Sequence, residues 1–165
     1  VVNQWDTVSK YAHQLKANID AGMGLILAGG PGRMKTTLAV AVLRQLLETD
    51  DRGSGYMVPM ASLLDNLYTM RSLYKEEAAR YEDRIRKCDI LVIDDLGAEN
   101  ATAPWVLAKV DSIITERYNR MLPVIITTNL SQQDLQGTYG GRIIDRLRST
   151  SKYIVFNGRS LRPTV

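Results

Sequence analysis

Nine consecutive residues, Gly29-Gly30-Pro31-Gly32-Arg33-Met34-Lys35-Thr36-Thr37, combine glycines, a lysine and hydroxyls at a spacing that suits phosphate groups. The pattern G-x-x-x-x-G-K-[ST] fits at Gly29, Lys35 and Thr36, and fails at Met34, which stands where the second glycine belongs. Such a loop works by turning backbone N–H groups towards the phosphates, with a helix N-terminus behind them. Lys35 would neutralise the outer phosphates of a nucleotide, and the Thr36 hydroxyl would ligate Mg²⁺. Met34 is tolerated if its backbone is already right-handed helical, a conformation that suits any L-residue. The plain alternative is a glycine-rich strand-to-helix turn with an incidental lysine.

A second constellation is Asp94-Asp95, which closes the apolar run Ile90-Leu91-Val92-Ile93. A carboxylate at the C-terminal edge of a strand can hold Mg²⁺ directly or through water beside a phosphate loop. In this Walker B arrangement Asp94 is the metal partner and Asp95 positions or deprotonates the attacking water. Glu99 is a further carboxylate near the same edge. Asn129, at the end of Thr127-Thr128-Asn129, can hydrogen-bond the γ-phosphate or that water; its structural alternative is a helix N-cap or turn former.

These groups are positioned by apolar runs that alternate with helical patterns. Residues 24–28 read as a short buried strand ended by glycines, and residues 35–48 place Leu38, Ala39, Val42, Leu43, Leu46 and Leu47 at helical spacing. Residues 56–60 form the expected second strand. A helix with Leu63, Leu64, Leu67, Met70 and Leu73 inward follows, then a charged helical segment to about Lys87. The run 89–94 is continuous rather than alternating, as when both strand faces are covered by helices. Residues 103–120 predict an amphipathic helix with Val106, Val110, Ile113, Ile114 and Tyr118 inward, and residues 124–128 a fourth strand. A broken stretch with Gly137, Gly140 and Gly141 leads to a short helix over 142–148 and a fifth strand over 153–156. Strands alternating with helices predict a three-layer α/β domain with a mainly parallel sheet. Trp5 and Trp105 are expected to pack as anchors, Cys88 to be inert packing, and His13 to have no metal or acid–base role.

The chain has 165 residues, 45% apolar and 24% charged, which describes one ordinary globular domain. The net charge of +3 is unevenly spread. Residues 142–165 carry Arg142, Arg146, Arg148, Lys152, Arg159 and Arg162 against Asp145 alone, so the basic balance is a C-terminal property. One cysteine excludes a disulfide scaffold and a Cys-rich zinc site. No apolar run approaches the ~20 residues of a membrane span, and a cytoplasmic domain is the expectation. Val1 in place of Met points to a piece of a longer protein.

With the phosphate loop, the acidic pair and Asn129 in place, the chain resembles the AAA+ ATPases of the DnaC/DnaI helicase-loader group and their relative IstB, from about Tyr11 to Pro163. The most specific segments are Leu91-Val92-Ile93-Asp94-Asp95-Leu96-Gly97-Ala98-Glu99, Thr127-Thr128-Asn129, Gly141-Arg142-Ile143-Ile144-Asp145-Arg146-Leu147-Arg148 and Gly158-Arg159-Ser160-Leu161-Arg162. The resemblance implies a P-loop NTPase core with a five-stranded sheet, a short tail in place of a full helical lid, ATP or ADP bound with Mg²⁺, and assembly into a ring or spiral. It implies attachment to a hexameric replicative helicase and help in placing it on single-stranded DNA. In the family pattern Arg146 falls on the finger that reaches a neighbour's ATP, and Arg162 on the tail arginine that senses nucleotide within its own subunit. The helices after the second strand contact single-stranded DNA in the family, which here points to Tyr68, Arg71, Tyr74 and Lys75. Many relatives carry Glu where this chain has Asp95, so the shorter side chain shifts the water or slows turnover. Residues 1–20 are expected to be the linker and first helix, leaving no room for the loaders' N-terminal helicase-gripping domain. Two other functions fit the same core: an IstB-like transposition helper, and a degenerate scaffold with little hydrolysis, motivated by Met34 and Asp95. A small-molecule kinase is disfavoured by Asn129 and the Asp145-Arg146 segment.

Overall fold

The computed structural model describes residues 2–98 and 104–161, and the backbone alone at Val2, Arg71 and Leu73. The elements run α1 (Val2–His13), α2 (Leu15–Asp20), β1 (Gly24–Ala28), α3 (Lys35–Thr49), β2 (Gly55–Pro59), α4 (Met60–Leu73), α5 (Lys75–Lys87), β3 (Ile90–Leu96), α6 (Pro104–Asn119), β4 (Val124–Thr128), α7 (Gln132–Tyr139), α8 (Gly141–Ser149) and β5 (Ser151–Val155). The five strands form one sheet in the order β2-β3-β4-β1-β5, and every pairing is parallel. The chain therefore leaves β1 for the far edge, returns strand by strand to β4, and crosses to β5 on the other side of β1. Such a reversal of strand order opens a crevice at the C-terminal ends of the central strands.

Alternation along each strand divides the core into two layers. Leu91 and Ile93 of β3, Ile26 of β1 and Ile126 of β4 join the inner faces of α4, α5, α6, α7 and α8. Ile90 and Val92, Leu25 and Leu27, and Ile125 point the other way and pack with α1, α2 and α3. Both faces being covered is why β1, β3 and β4 read as continuous apolar runs. No helix among the described residues is long and apolar enough to cross a membrane.

Several expectations need correction. The stretch with Gly137 and Gly140 is not broken throughout but contains α7, whose apolar positions are only Leu135 and Tyr139. Its start was marked in the sequence, because Ser131 and Asp134 form a reciprocal capping box. The first helical region is two helices, α1 and α2. Trp5, Trp105 and Tyr118 are 40%, 47% and 41% exposed, so none of the three is a core residue.

The Arg117 side chain, on the inner face of α6, is wholly buried. Its guanidinium donates to the carbonyls of Ile85 at 2.9 Å, Pro123 at 2.8 Å and Asp89 at 3.5 Å, tying the end of α5 to the starts of β3 and β4. Burial lowers its pKa, and burial raises that of the neighbouring Cys88 thiol. Cys88 is thus packing at the N-terminal edge of the sheet, the end opposite the phosphate loop.

Candidate functional site

The loop between β1 and α3 is held by its glycine and by the tail. A side chain at Gly29 would lie 2.4 Å from the Phe156 carbonyl, with φ at +142°. Arg33 donates to that same carbonyl at 2.6 Å, and the Leu161 amide donates to Gly32 O at 2.8 Å. The segment after β5 therefore lies across the loop. Among the described residues, no backbone carbonyl accepts from the amides of Gly32, Arg33, Met34, Thr36 or Thr37. Unspent amides at the start of a fifteen-residue helix form an anion-binding concavity.

Met34 adopts φ 62°, ψ 17°, the left-handed region, and not the right-handed helical geometry that would have made it harmless. The conformation is the one glycine supplies at this motif position, because a Cβ there crowds the following carbonyl. A left-handed L-residue costs about 1–2 kcal/mol, partly offset by the larger chain entropy a glycine loses on folding, about 0.5–1 kcal/mol. Met34→Gly is therefore expected to stabilise the domain by about 0.5–1 kcal/mol, read as a higher denaturant midpoint at unchanged slope. A lower midpoint would mean that methionine packing outweighs the backbone strain.

Lys35 is 7% exposed, and its ammonium donates to Gly29 O at 2.7 Å, Gly30 O at 2.9 Å and Asn129 Oδ1 at 2.9 Å. An incoming phosphate would replace a neutral carbonyl by an anion, a stronger acceptor. Thr36 Oγ1 donates to Asp94 Oδ1 at 2.8 Å, and Thr127 Oγ1 donates to the same oxygen at 2.6 Å.

Strict strand alternation would send Asp94 and Asp95 to opposite faces of the sheet. The β3–β4 register shifts between Ile93 and Leu96, and Asp95 takes φ 58°. The Asp95 amide then donates to Thr127 Oγ1 at 2.9 Å, and its Oδ1 accepts from Asn129 Nδ2 at 2.9 Å. This bulge turns both carboxylates into one cleft, a re-aiming that bulges perform beside active sites. Thr127 on β4 and Asn129 just beyond its end face the cleft two residues apart, while Thr128 donates to Leu96 O at 2.7 Å.

The cleft, a cavity of about 470 Å³, is lined by Pro31 to Thr37, Asp94, Asp95, Thr127, Asn129 and Leu161. Thr127 and Leu161 are additions to the residues expected to act here. The alternation of Thr127 with Asn129 could have flagged the first, but the return of the tail to Gly32 has no sequence signal. Among the described residues no group of three His, Cys, Asp or Glu side chains is gathered. The pair Thr36 and Asp94 suits Mg²⁺, a hard cation that takes one or two carboxylates together with phosphate oxygens. Glu99 and Arg162 lie outside the described residues.

Arg146 is not in this cleft. It precedes β5 by one turn, and β5 pairs with β1 from Gly24↔Ser151 onward, so Arg146 lies at the N-terminal edge of the sheet. A five-residue strand, about 17 Å long, separates it from the loop after β1. Tyr68 and Tyr74 are 72% and 57% exposed. The Tyr68 and Trp105 rings pack against each other tilted by 41°, with centroids 6.1 Å apart. Lys75 lines a neighbouring groove with Glu82, Arg86 and Lys109. The side chain of Arg71 lies outside the described set.

A parallel five-stranded sheet with a phosphate loop after β1 and an acidic pair in the C-terminal part of β3 defines an AAA+ P-loop domain. The sequence profile described as IstB-like ATP binding protein matches residues 9–164, and the chain belongs to that family. The replicative helicase loader DnaC of Escherichia coli (strain K12) is 24% identical over 168 aligned positions, covering 99% of this chain and 65% of DnaC. The chain thus spans just under two thirds of that relative. The replicative helicase loader DnaI of Bacillus subtilis is 28% identical over 116 positions, 70% of this chain and 36% of DnaI. A crystal structure of the DnaC helicase loader superposes with TM-score 0.75 at 28% identity, over 92% of this chain and 86% of the other. A crystal structure of DnaI gives 0.76 at 25% identity, over 94% and 83%. Domain III of the Thermotoga maritima replication initiation protein DnaA shares the fold, with TM-score 0.71 at 18% identity over 90% of this chain and 61% of the other.

Proposed function

We propose that this chain is the ATPase module of a replicative-helicase loader, which binds and hydrolyses ATP as it assembles with a hexameric helicase and single-stranded DNA. The observation that carries the reading is a cleft in which unspent loop amides, Lys35, the Thr36–Asp94 pair and the Asp95–Asn129 pair converge. Relatives described as replicative helicase loaders supply the partner.

In this reading the loop amides and Lys35 hold the β- and γ-phosphates, and Thr36 and Asp94 hold Mg²⁺. When bound there, Mg²⁺ would supply neutralisation of the charge developing on the transferred phosphoryl group. Asp95 orients the attacking water, and Asn129, bonded to both Lys35 and Asp95, ties the phosphate side of the cleft to the water side. The exposed Tyr68–Trp105 pair offers a stacking platform for a base of single-stranded DNA, with Lys75 and Tyr74 on the same α4–α5 side.

Arg146 serves a second copy of the chain, because it lies at the wrong edge of the sheet for its own cleft. A guanidinium that stabilises γ-phosphate charge is worth on the order of 10³-fold or more in turnover. Arg146→Ala is expected to lower turnover of the assembled protein by that order and to leave ATP affinity of the isolated subunit within about 3-fold. Loss of ATP binding by the monomeric variant would overturn the finger assignment.

The family description favours a second reading, an IstB-like transposition helper with the same nucleotide chemistry. Co-purification with a replicative helicase against co-purification with a transposase separates the two. Absence of Lys35-dependent phosphate release in the presence of helicase and single-stranded DNA would favour a scaffold without turnover.

A further inference from the structure

We propose that Asp111 positions the Arg146 guanidinium so that its phosphate-binding edge faces a second copy of this chain, an inference that rests on the finger reading of Arg146. Arg146 Nη1 donates to Asp111 Oδ1 at 3.1 Å and to Thr115 Oγ1 at 2.7 Å. Thr115 Oγ1 in turn donates to Asp111 Oδ1 at 3.1 Å. The guanidinium carbon lies 5.9 Å from the Tyr118 ring centroid. Asp111, Thr115 and Tyr118 stand four and three residues apart, so they present one face of α6 to α8.

This cradle spends one edge of the guanidinium. Nη1 uses its hydrogens on Asp111 and Thr115, while Nε and Nη2 have no partner among the described residues. Nε and Nη2 form the fork that matches a phosphate with two parallel hydrogen bonds. The side chains of Arg146 and Asp111 are 24% and 22% exposed, enough for that edge to be reached while the other is held. Arg142 pairs with the other Asp111 oxygen, so one carboxylate serves two cations and the cluster keeps a net positive charge. An unheld arginine loses rotamer freedom when it engages a phosphate, whereas a held one has already lost it.

The test uses the assembled protein with ATP, single-stranded DNA and helicase. Asp111→Asn keeps the shape and removes the charge; it is expected to lower kcat by about 10–100-fold, the range seen when supporting hydrogen bonds are removed, with KM unchanged within about 2-fold. Asp111→Glu should recover part of the loss. Mixing supplies a readout that a folding defect would not reproduce. Asp95→Asn subunits lack the water-orienting carboxylate but keep an intact finger, so mixing them with Asp111→Asn subunits should restore turnover, as mixing them with Arg146→Ala subunits should. Normal kcat for Asp111→Asn alongside a damaged Arg146→Ala overturns the positioning role and leaves the finger reading standing. Failure of Asp95→Asn to rescue Asp111→Asn while it rescues Arg146→Ala places the defect within the subunit and also overturns it. If Arg146→Ala itself turns over normally, the finger reading fails and the inference goes with it.

Discussion

Lys35→Ala is expected to lower ATP turnover by on the order of 10²–10³-fold, the loss that accompanies removal of one preorganised charge-stabilising donor. The lysine is the only described residue that bonds the loop carbonyls of Gly29 and Gly30 together with Asn129. Its removal therefore takes away the phosphate's cation and uncouples the loop from β4. Nucleotide affinity should fall in the same variant, because the interaction is made before as well as during phosphoryl transfer. Phosphate release and a nucleotide titration, both beside the unaltered chain, check this. Undiminished turnover would remove the cleft from consideration as a hydrolytic site, whatever the fate of Met34.

Arg117→Met is expected to destabilise the domain by about 1–3 kcal/mol. Methionine fills much of the same volume but, among the described residues, leaves the Ile85 carbonyl with only the weak Cys88 thiol at 3.9 Å and the Pro123 carbonyl with only the Leu91 amide at 3.4 Å, in a site closed to water. A buried acceptor left unsatisfied costs about 1–3 kcal/mol; these two keep weak donors, and the Asp89 carbonyl adds a weaker share. Set against a total stability of about 5–15 kcal/mol for a domain, this is a large fraction, and urea denaturation would read it directly. Arg117→Lys should fall between, since one ammonium has no planar fork to span carbonyls on three elements. Arg117 is at the sheet edge away from the cleft, so nucleotide affinity of the folded fraction should change little. A variant as stable as the parent would mean that water replaces the guanidinium.

The sequence alone determined the layers and the chemistry of the loop. Continuous apolar runs at β1, β3 and β4 required cover on both faces, and helical spacing in α3, α4 and α6 supplied it. The motif residues named their partners by type: a lysine and a threonine for phosphate and cation, carboxylates and an amide opposite them. α7 escaped because two apolar residues in eight make no periodic pattern, although its capping box was visible.

Tertiary structure decided what depends on backbone geometry and on contacts between distant segments. Whether Met34 sits in a right-handed or left-handed conformation is not encoded by its identity; it takes φ 62° within a loop that closes against Phe156 and Leu161. That Asp94 and Asp95 share a cleft, against the period of a strand, depends on a register shift set by pairing with β4. Arg117 reads in sequence as one more charge on an amphipathic helix, and only the meeting of α5, β3 and β4 around it makes it a buried tie. Arg146 and Asp111 are 35 residues apart along the chain, and their pairing exists because α8 packs on α6. Periodicity and residue chemistry are local properties, legible one segment at a time; register, handedness and buried polar partners are fixed only when segments remote in sequence close on one another.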